Sequence, residues 1–502
     1  MNLARNLENS AFYFPDETAI VEENREISFL EFNHDSNRVA TALIHLGVQA
    51  GDHIALCAPN SYQWLAFYFG VLKAGAVAVT LSSALSKTEL AALLDNARPK
   101  ALFTVDEKLE ALGDRRDRPY LKDVISPGGD IPYKRLVEKG SHAFKSVDLE
   151  RKNTAAILYT GGTTGTPKGV MLSHENMLIS VHNVSHFERS SQKDRALCFL
   201  PLNHVFAQIH IMNSMVHAGG SVVIQPSFDL DRVVDAIKRY RVTKFYGVPT
   251  IYLRLLQVDK LKEKLGSVNY CFSAAASMAA ELVREWKSIA YLDIHESYGM
   301  TETATMVTYN HYIRHVVGSV GTPVNIVEAQ IRDLQGNVLK QGEEGEICIR
   351  GPNVMKGYLN NPDETRAVFW GDWLRSGDIG VMDENGYLYI VDRIKDMIIT
   401  GGENVYPREI EEVLYKRPEV GECSVIGLPD KEYGERVTAC IVPKQENRPL
   451  DLGDLKVFLK THLAPFKVPK EFVILKELPK GSTGKILKRE LKKQVTDRLK
   501  NP

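Results

Sequence analysis

The feature that most constrains the fold is a regular alternation of short apolar runs with helical patterns along most of the chain. The runs at 53–59, 155–160, 196–202 and 268–276 are continuous and have the length of buried strands. Strands covered on both faces read as continuous apolar segments, whereas strands with one wet face alternate. The pattern therefore predicts βαβ units that build parallel-rich sheets, an α/β fold whose polar or glycine-rich connections hold the ligand.

The pattern changes near residue 316. From there on, short strands alternate apolar and polar residues and are joined by turns such as the one at 335–337, which is typical of an antiparallel, barrel-like subdomain. Past the segment 392–396 the helices and strands form a new group. The sequence thus predicts a large N-terminal domain at 1–394, whose residues 316–394 form the subdomain, and a small α+β C-terminal domain at 395–502.

Charge and composition narrow the class of protein. The chain has 62 Lys and Arg against 63 Asp and Glu, a formal charge of −1, so no global field draws it to nucleic acid or to an anionic membrane. Any phosphate that it binds needs a local site. Six scattered cysteines without a CxxC pair indicate reduced thiols, and we find neither a secretory signal nor a transmembrane run. We therefore expect an enzyme-sized cytoplasmic protein.

The charges are not evenly distributed along the chain, because the carboxyl-terminal part is strongly basic. From Lys456 to the end the chain has thirteen basic and four acidic residues, an excess of +9. Such a run is either a solvated helix face or a surface that meets something anionic, and both interpretations stay open at this point.

A segment rich in glycine and threonine, 158–170, is the most informative part of the sequence. It follows an apolar run and ends on Lys168. Glycines let backbone amides turn inward as an anion nest, and threonine hydroxyls and a lysine add donors and charge. Pro167 before the lysine and Gly169 after it exclude a Walker A motif, which has Ser or Thr at the latter position. The segment predicts a polyphosphate site, although by its composition alone it also fits a surface loop.

This loop resembles the Tyr-Thr-Ser-Gly-Thr-Thr-Gly-x-Pro-Lys-Gly signature of the adenylate-forming enzymes, the superfamily of acyl-CoA synthetases, peptide-synthetase adenylation domains and firefly luciferase. Gly161 stands where the family usually has Ser, which removes one hydroxyl donor. The segments SYGMTE (297–302), WLRSGD (373–378), the run at 391–410 and PKGSTGK (479–485) resemble further family motifs in the same order. The resemblance covers essentially the whole chain and is greatest to bacterial medium- and long-chain fatty acyl-CoA synthetases.

The resemblance implies an ATP site built from these segments. The phosphates would lie on the loop residues Thr160, Gly161, Gly162, Thr163, Thr164, Gly165 and Lys168. The other implied nucleotide contacts are Ser297 and Tyr298, whose ring would stack on the base, Thr301 at the α-phosphate, Glu302 as the ligand of Mg²⁺, and Asp378 and Arg393 at the ribose. Lys485 would bridge the substrate carboxylate and the α-phosphate, and it completes a catalytic set with Lys168, Thr301 and Glu302.

The resemblance also implies a two-step reaction that uses ATP, Mg²⁺ and coenzyme A. A carboxylate attacks the α-phosphorus to give an acyl-adenylate and pyrophosphate, and a thiol then attacks the acyl carbon and expels AMP. The substrates supply both nucleophiles, which agrees with the lack of a GxSxG elbow. The small domain would be mobile and swing about Lys395, and Gly401 and Gly402 would let its backbone approach the thiol arm.

The acid pocket is the least determined part of this prediction. In amino-acid-activating members of the family an Asp pairs with the substrate ammonium, and here that position falls on Phe206. The candidate wall is apolar, with small residues at several positions: His204, Val205, Phe206, Tyr246, Gly247, Ala274, Ala275, Ala276 and Met300. It predicts a hydrophobic acid, most similar to a medium- or long-chain fatty acid, and leaves an aromatic acid open.

Three alternatives stay open. The acceptor could be the phosphopantetheine arm of an acyl carrier protein in place of coenzyme A, but only 75 residues separate Glu302 from Asp378, without the insertion that fatty acyl-AMP ligases carry there. A non-catalytic nucleotide-binding protein would have no use for Lys485. Nothing in the sequence favours a luciferase-like oxygenase.

Overall fold

The computed structural model of the chain describes residues 1–160, 167–445, 450–481 and 484–500. The predicted α/β architecture is confirmed, because two seven-stranded sheets with mostly parallel pairing form the larger part of the molecule. In spatial order the first sheet consists of Ile294–Glu296, Tyr270–Ser273, Lys244–Gly247, Arg195–Cys198, Ser221–Ile224, Thr18–Glu22 and Arg25–Ser28. The second consists of Gly357–Tyr358, Lys168–Ser173, Thr154–Thr160, Val77–Thr80, His53–Cys57, Ala101–Thr104 and Asp123–Ile125.

The remaining sheets are smaller and mainly antiparallel. The third contains Glu328–Arg332, Gly345–Arg350, Trp373–Met382, Phe369–Trp370 and Leu388–Arg393. The fourth contains Glu403–Val405, Ile398–Thr400, Gly434–Pro443, Val420–Asp430 and Glu471–Ile474. Two-stranded pairs are formed by Gly299–Met300 with Thr305–Met306 and by Thr308–Tyr309 with Thr322–Pro323. The change from parallel to antiparallel pairing after about residue 316 therefore agrees with the sequence pattern.

Helices connect these strands. They are Arg5–Tyr13, Phe29–His45, Tyr62–Lys73, Lys87–Ala97, Tyr133–Glu138, His174–Phe187, Ser214–Ala218, Leu230–Tyr240, Pro249–Leu255, Leu261–Lys264, Ala280–Ala290, Pro362–Ala367, Pro407–Leu414, Leu452–His462 and Lys488–Lys500, with a π-helical segment at Ala207–Asn213. Several begin at a side-chain cap. Ser173 accepts a hydrogen bond from the backbone N–H of Asn176, and this cap starts a helix directly after the strand that carries Lys168. Of the helices described here, none combines the length and the hydropathy that a bilayer crossing needs.

One apolar core unites the two large sheets, and the carboxyl-terminal part has its own. Ile20 of the first sheet and Ile54 of the second belong to the same buried cluster. A separate cluster is formed around Val425 and Leu459. The short helical turn Ile394–Asp396 follows the last strand of the third sheet and leads into the fourth. The boundary between residues 394 and 395 stays a prediction, and these separate cores support it.

Candidate active site

The candidate site lies where strands of the first sheet end. The parallel strands Lys244–Gly247, Tyr270–Ser273 and Ile294–Glu296 are neighbours, so their carboxyl ends share one edge of the sheet. The segments that follow them contain Ala274 to Ala276 and Ser297 to Glu302. Ligands of open α/β sheets bind beyond the carboxyl ends of the strands, which is where the structure places these residues.

A tight hairpin holds Thr301 and Glu302. Its strands Gly299–Met300 and Thr305–Met306 are antiparallel, and the hydroxyl of Thr303 bonds to the backbone of Met300 on one side and of Thr305 on the other. Gly299 is required because a Cβ there would lie 1.3 Å from the carbonyl oxygen of Thr305. Ala304 and Thr305 both have positive φ, of 46° and 82°, which costs backbone strain. The turn therefore presents Thr301 and Glu302 in a fixed, buried position.

Asp378 contacts two other residues that are predicted to bind the nucleotide. It lies opposite Arg393 in the third sheet, and the Nε atom of Arg393 is 3.1 Å from its Oδ1. Tyr298 donates from its hydroxyl to the other carboxylate oxygen of Asp378, at 2.7 Å. The structure thus brings together three residues from segments that are up to 95 positions apart, and Ser297 lies beside them, buried.

Glu302 is buried, and this burial raises the pKa of its carboxyl group. Its Oε1 accepts a hydrogen bond from the hydroxyl of Tyr358, at 2.9 Å. Tyr358 was not among the residues predicted from the sequence. Nothing in the local sequence signals this contact, because it depends on pairing between chain segments far apart.

Lys168 lies at the start of the strand Lys168–Ser173, opposite Thr160 in the adjacent strand. Its ammonium group forms an ion pair with Glu364, and its Nζ is 5.1 Å from the centre of the Tyr358 ring. The predicted loop contacts of Gly161, Gly162, Thr163, Thr164 and Gly165 lie outside the described residues.

Lys485 lies partly buried at the site although it comes from the last part of the chain. Its segment docks on the first sheet through Gly484, whose carbonyl oxygen accepts from the hydroxyl of Thr250 at 3.2 Å. Burial, and next the positive charge of Arg393, lower the pKa of Lys485 to about 7. Burial, and next the charge of Lys485, lower the pKa of His204 to about 4. The two side chains are therefore close enough to interact.

The glycines predicted for the thiol tunnel lie elsewhere. Gly401 and Gly402 are exposed and form the turn between the strands Ile398–Thr400 and Glu403–Val405, with φ of 62° and 88°. Lys395, the predicted hinge, is exposed in the turn Ile394–Asp396. In this arrangement the small domain presents Lys485 to the site and leaves the two glycines in solvent.

The predicted acid wall divides into an accessible and a closed part. His204, Ala274, Ala275, Ala276 and Met300 are partly exposed, whereas Val205, Phe206, Tyr246 and Gly247 are buried. The Phe206 ring packs edge-on against Tyr246, Phe272 and His210, with ring centres 5.3 to 6.4 Å apart. Aromatic side chains therefore fill the space behind the accessible residues.

A buried polar network backs this aromatic layer. Glu188 accepts a hydrogen bond from Tyr246 at 2.5 Å and contacts the Nδ1 of His210 at 2.6 Å. The Nε2 of His210 is 2.9 Å from the hydroxyl of Thr305, in the hairpin that holds Glu302. The sequence prediction missed Glu188 and His210, which lie on separate helical segments. In the sequence they are two isolated polar residues 22 positions apart, and this spacing matches no motif that would predict a contact.

Comparisons with known proteins agree with this geometry. A profile described as AMP-binding enzyme matches residues 7–359, and one described as AMP-binding enzyme C-terminal domain matches residues 409–485. A long-chain-fatty-acid–CoA ligase of Bacillus subtilis is 34% identical, over 98% of this chain and 94% of that protein. A feruloyl-CoA synthase of an Amycolatopsis species is 33% identical over 96% of each chain. The ATP-bound crystal structure of MatB from Rhodopseudomonas palustris superposes with a TM-score of 0.92, at 34% identity and 99% coverage of both chains.

Proposed function

Because this chain belongs to the AMP-binding enzyme family and is an AMP-forming acid–thiol ligase, we propose that its acid is a hydrophobic carboxylic acid and its acceptor coenzyme A. The observation that carries the proposal is the apolar wall beside Lys485. By the family resemblance, Phe206 stands at the position of the carboxylate that pairs with a substrate ammonium group, and the partly exposed residues of the predicted wall include three alanines, Ala274 to Ala276. An acid with a charged tail would lose its hydration there without compensation.

In the first step the acid's carboxylate attacks the α-phosphorus of ATP, and the bond to pyrophosphate breaks. Two anions must meet, so the site has to supply positive charge. Lys485 lies near Asp378 and Arg393, the proposed ribose contacts, which supports a position of its ammonium group close to the α-phosphate. In the second step the thiol attacks the acyl carbon, loses its proton and releases AMP. Lys485 has no part in that step.

The residues at Glu302 fit a magnesium ion. Mg²⁺ in nucleotide sites is commonly held by one or two carboxylates, with phosphate oxygens and water completing an octahedron. Among the residues that the structure describes, no group of three or more His, Cys, Asp or Glu side chains could hold a metal by itself, so a single carboxylate next to the phosphates matches this pattern. When bound, the ion would neutralise phosphate charge. Glu302 would hold it, and Thr301 would donate to the α-phosphate.

The length of the acid separates two candidates. Similarity to fatty-acid–CoA ligases supports a medium- or long-chain fatty acid. The closed aromatic layer of Phe206, Tyr246 and Phe272 favours a shorter, flat acid as the second candidate, because a long chain has to displace these close-packed rings. A long-chain acid can bind only if the Phe206 side chain moves aside, whereas a short, flat acid does not need this movement.

The test is a screen of carboxylic acids from C2 to C18, with aryl acids included, for AMP release and thioester formation with coenzyme A. We expect AMP and acyl-CoA in equal amounts with hydrophobic acids only. A thioester formed on a carrier protein and none on coenzyme A would contradict the proposed acceptor. Preference for an amino acid or a dicarboxylic acid would contradict the proposed acid.

We also propose that residues 395–502 turn as a body about Lys395 between the two steps. The separate core of this part and its short connection to the third sheet support the movement. Gly401 and Gly402 would then replace Lys485 at the site and border the thiol arm.

A further inference from the structure

We propose that Tyr358 is a positioning residue that couples Lys168 to Glu302 and thereby sets the affinity of the site for magnesium. The inference rests on the metal role of Glu302 proposed above. Tyr358 is 7% exposed and lies between these two groups. Its hydroxyl donates to Oε1 of Glu302 at 2.9 Å, and its ring faces the Lys168 ammonium group at 5.1 Å from the ring centre.

The backbone around Tyr358 fixes the ring relative to both partners. Tyr358 pairs with Val170 in the strand that begins at Lys168, and the N–H of Leu359 donates to the carbonyl of Gly169 at 2.7 Å. Three residues earlier, the N–H of Met355 donates to the carbonyl of Glu302 at 2.8 Å. One short segment is therefore bonded to the lysine strand and to the glutamate turn at the same time.

The helix that follows completes this support. The hydroxyl of Thr365 accepts from the N–H of Tyr358 at 2.9 Å, and Thr365 belongs to the helix Pro362–Ala367, which also carries Glu364. Glu364 is the ion-pair partner of Lys168. The lysine is thus held on the ring side of Tyr358, and the hydroxyl side faces Glu302.

This arrangement keeps the carboxylate available for a cation from solution. A lysine that paired directly with Glu302 would occupy the carboxylate and oppose a divalent ion by charge repulsion. The aromatic face offers the ammonium group a favourable neighbour without neutralising it. The hydroxyl fixes one carboxylate oxygen, as the outer partners of metal ligands commonly do.

The test is the variant Tyr358→Phe, which keeps the ring and removes the hydrogen bond. Binding of a non-hydrolysable ATP analogue is measured by calorimetry with EDTA and over a range of Mg²⁺ concentrations, without acid or thiol. We expect the Mg²⁺ concentration for half-maximal enhancement to rise at least about tenfold, the lower bound for loss of such a partner. The affinity in EDTA should stay unchanged.

Two further variants separate this role from a structural one. Tyr358→Leu also removes the ring, so we expect it to weaken the analogue in EDTA as well, through displacement of Lys168. Tyr387→Phe is the matched control, because Tyr387 is equally buried and donates to the carbonyl of Arg314, in the third-sheet region. It should leave both affinities unchanged.

Three results would contradict the proposed roles of Tyr358 and Glu302. An unchanged Mg²⁺ dependence in Tyr358→Phe would overturn the inference and leave the proposed function intact. Equal losses with EDTA and with Mg²⁺ would assign Tyr358 a structural role only and would also overturn it. A wild-type protein whose analogue binding ignores Mg²⁺ would refute the metal role of Glu302 itself.

Discussion

At the scale of single residues, the partly buried lysine of the site, Lys485, is the most unusual group. Lys485 is surrounded by Arg393, Lys395, Asp378 and Asp396, and its burial lowers its pKa to about 7. An ordinary lysine has a pKa of about 10.4. In the free protein the ammonium form is therefore disfavoured near neutral pH, and an anion bound beside it would restore that form.

This predicts that nucleotide binding takes up a proton. At pH 8 Lys485 is mostly neutral in the free protein, since its pKa is about 7. A bound triphosphate raises that pKa, so binding should take up close to about one proton at pH 8 and less at pH 6, where the ammonium group is already formed. Calorimetry in buffers of different ionisation enthalpy measures the uptake, and the reference is the Lys485→Met variant. Equal uptake in both proteins would show that another group titrates.

The ion pair between Glu364 and Lys168 leads to a prediction in which a substitution strengthens ATP binding. The carboxylate of Glu364 pairs with Lys168, which is mostly buried, and must compete with phosphate for it. A partly exposed pair contributes at most about 1 kcal/mol, so Glu364→Gln should lower the KM for ATP by about two- to fivefold with little change in kcat. Asp363→Asn on the same helix is the control, because Asp363 is exposed and pairs with Arg366 in solvent. A raised KM would mean that Glu364 positions Lys168 and does not restrain it.

At the scale of elements, the hairpin Gly299–Met306 determines where the catalytic turn lies. Gly299 packs directly against the opposite strand, and any Cβ would meet the carbonyl of Thr305 at 1.3 Å. Because that neighbour is backbone, it can yield only if the hairpin itself shifts. Thr301, Glu302 and the bond from Thr305 to His210 all belong to this hairpin.

The variant Gly299→Ala should therefore lose most adenylate formation and also stability. We expect a cost of about 1 to 3 kcal/mol in the free energy of unfolding, as for overpacked sites. Denaturant unfolding and acid-dependent pyrophosphate release measure the two effects. Gly453→Ala, near the start of the helix Leu452–His462, is the control, because the nearest atom to its added Cβ is a side-chain oxygen of Asp451 at 3.2 Å. Full activity of Gly299→Ala would contradict the importance of the hairpin.

The features that could be predicted from the sequence are those that leave a pattern within one short segment. The runs at 155–160, 196–202 and 268–276 each contain a strand, because burial on both faces leaves a continuous apolar segment that any reader of the sequence can find. The pairing of Tyr358 with Val170 leaves no such trace, since it joins residues 188 positions apart. Glu188 and His210 were missed for the same reason. Motifs therefore supplied the residues that we propose to touch substrates, and only the fold identified the residues that support them.

At the scale of the whole molecule, the basic carboxyl-terminal part is less available to an outside anion than its charge of +9 indicates. Lys467, Lys480, Lys488 and Lys492 form ion pairs with Glu409, Glu422, Glu411 and Glu435, which are all within the same part of the chain. These glutamates precede Lys456 in the sequence, so they were not included in the charge of +9, which was counted from Lys456 to the end. Four of the thirteen basic residues are therefore paired within the small domain itself, and Lys485 lies at the candidate site.

Among the described residues, some of the polar contacts between this part and the rest are weak enough to exchange. Glu412 accepts from the N–H of Ala280 at 3.3 Å, and Lys444 pairs with Glu285 at 3.2 Å. Exposed pairs of this kind contribute about 0 to 1 kcal/mol. Weak contacts of this kind agree with the proposed turn of the small domain between the two steps.

The variant Lys485→Ala tests this arrangement across the whole molecule. It should reduce acid-dependent adenylate formation by at least about a hundredfold, because the positive charge proposed to lie next to the reacting phosphate is lost. Transfer of the acyl group from supplied acyl-adenylate to coenzyme A should proceed at nearly the wild-type rate, since Lys485 has left the site in that orientation. The two half-reactions are measured separately, by pyrophosphate release and by thioester formation under single-turnover conditions. Equal loss in both would mean that Lys485 stays at the site throughout, and the small domain would then not need to turn.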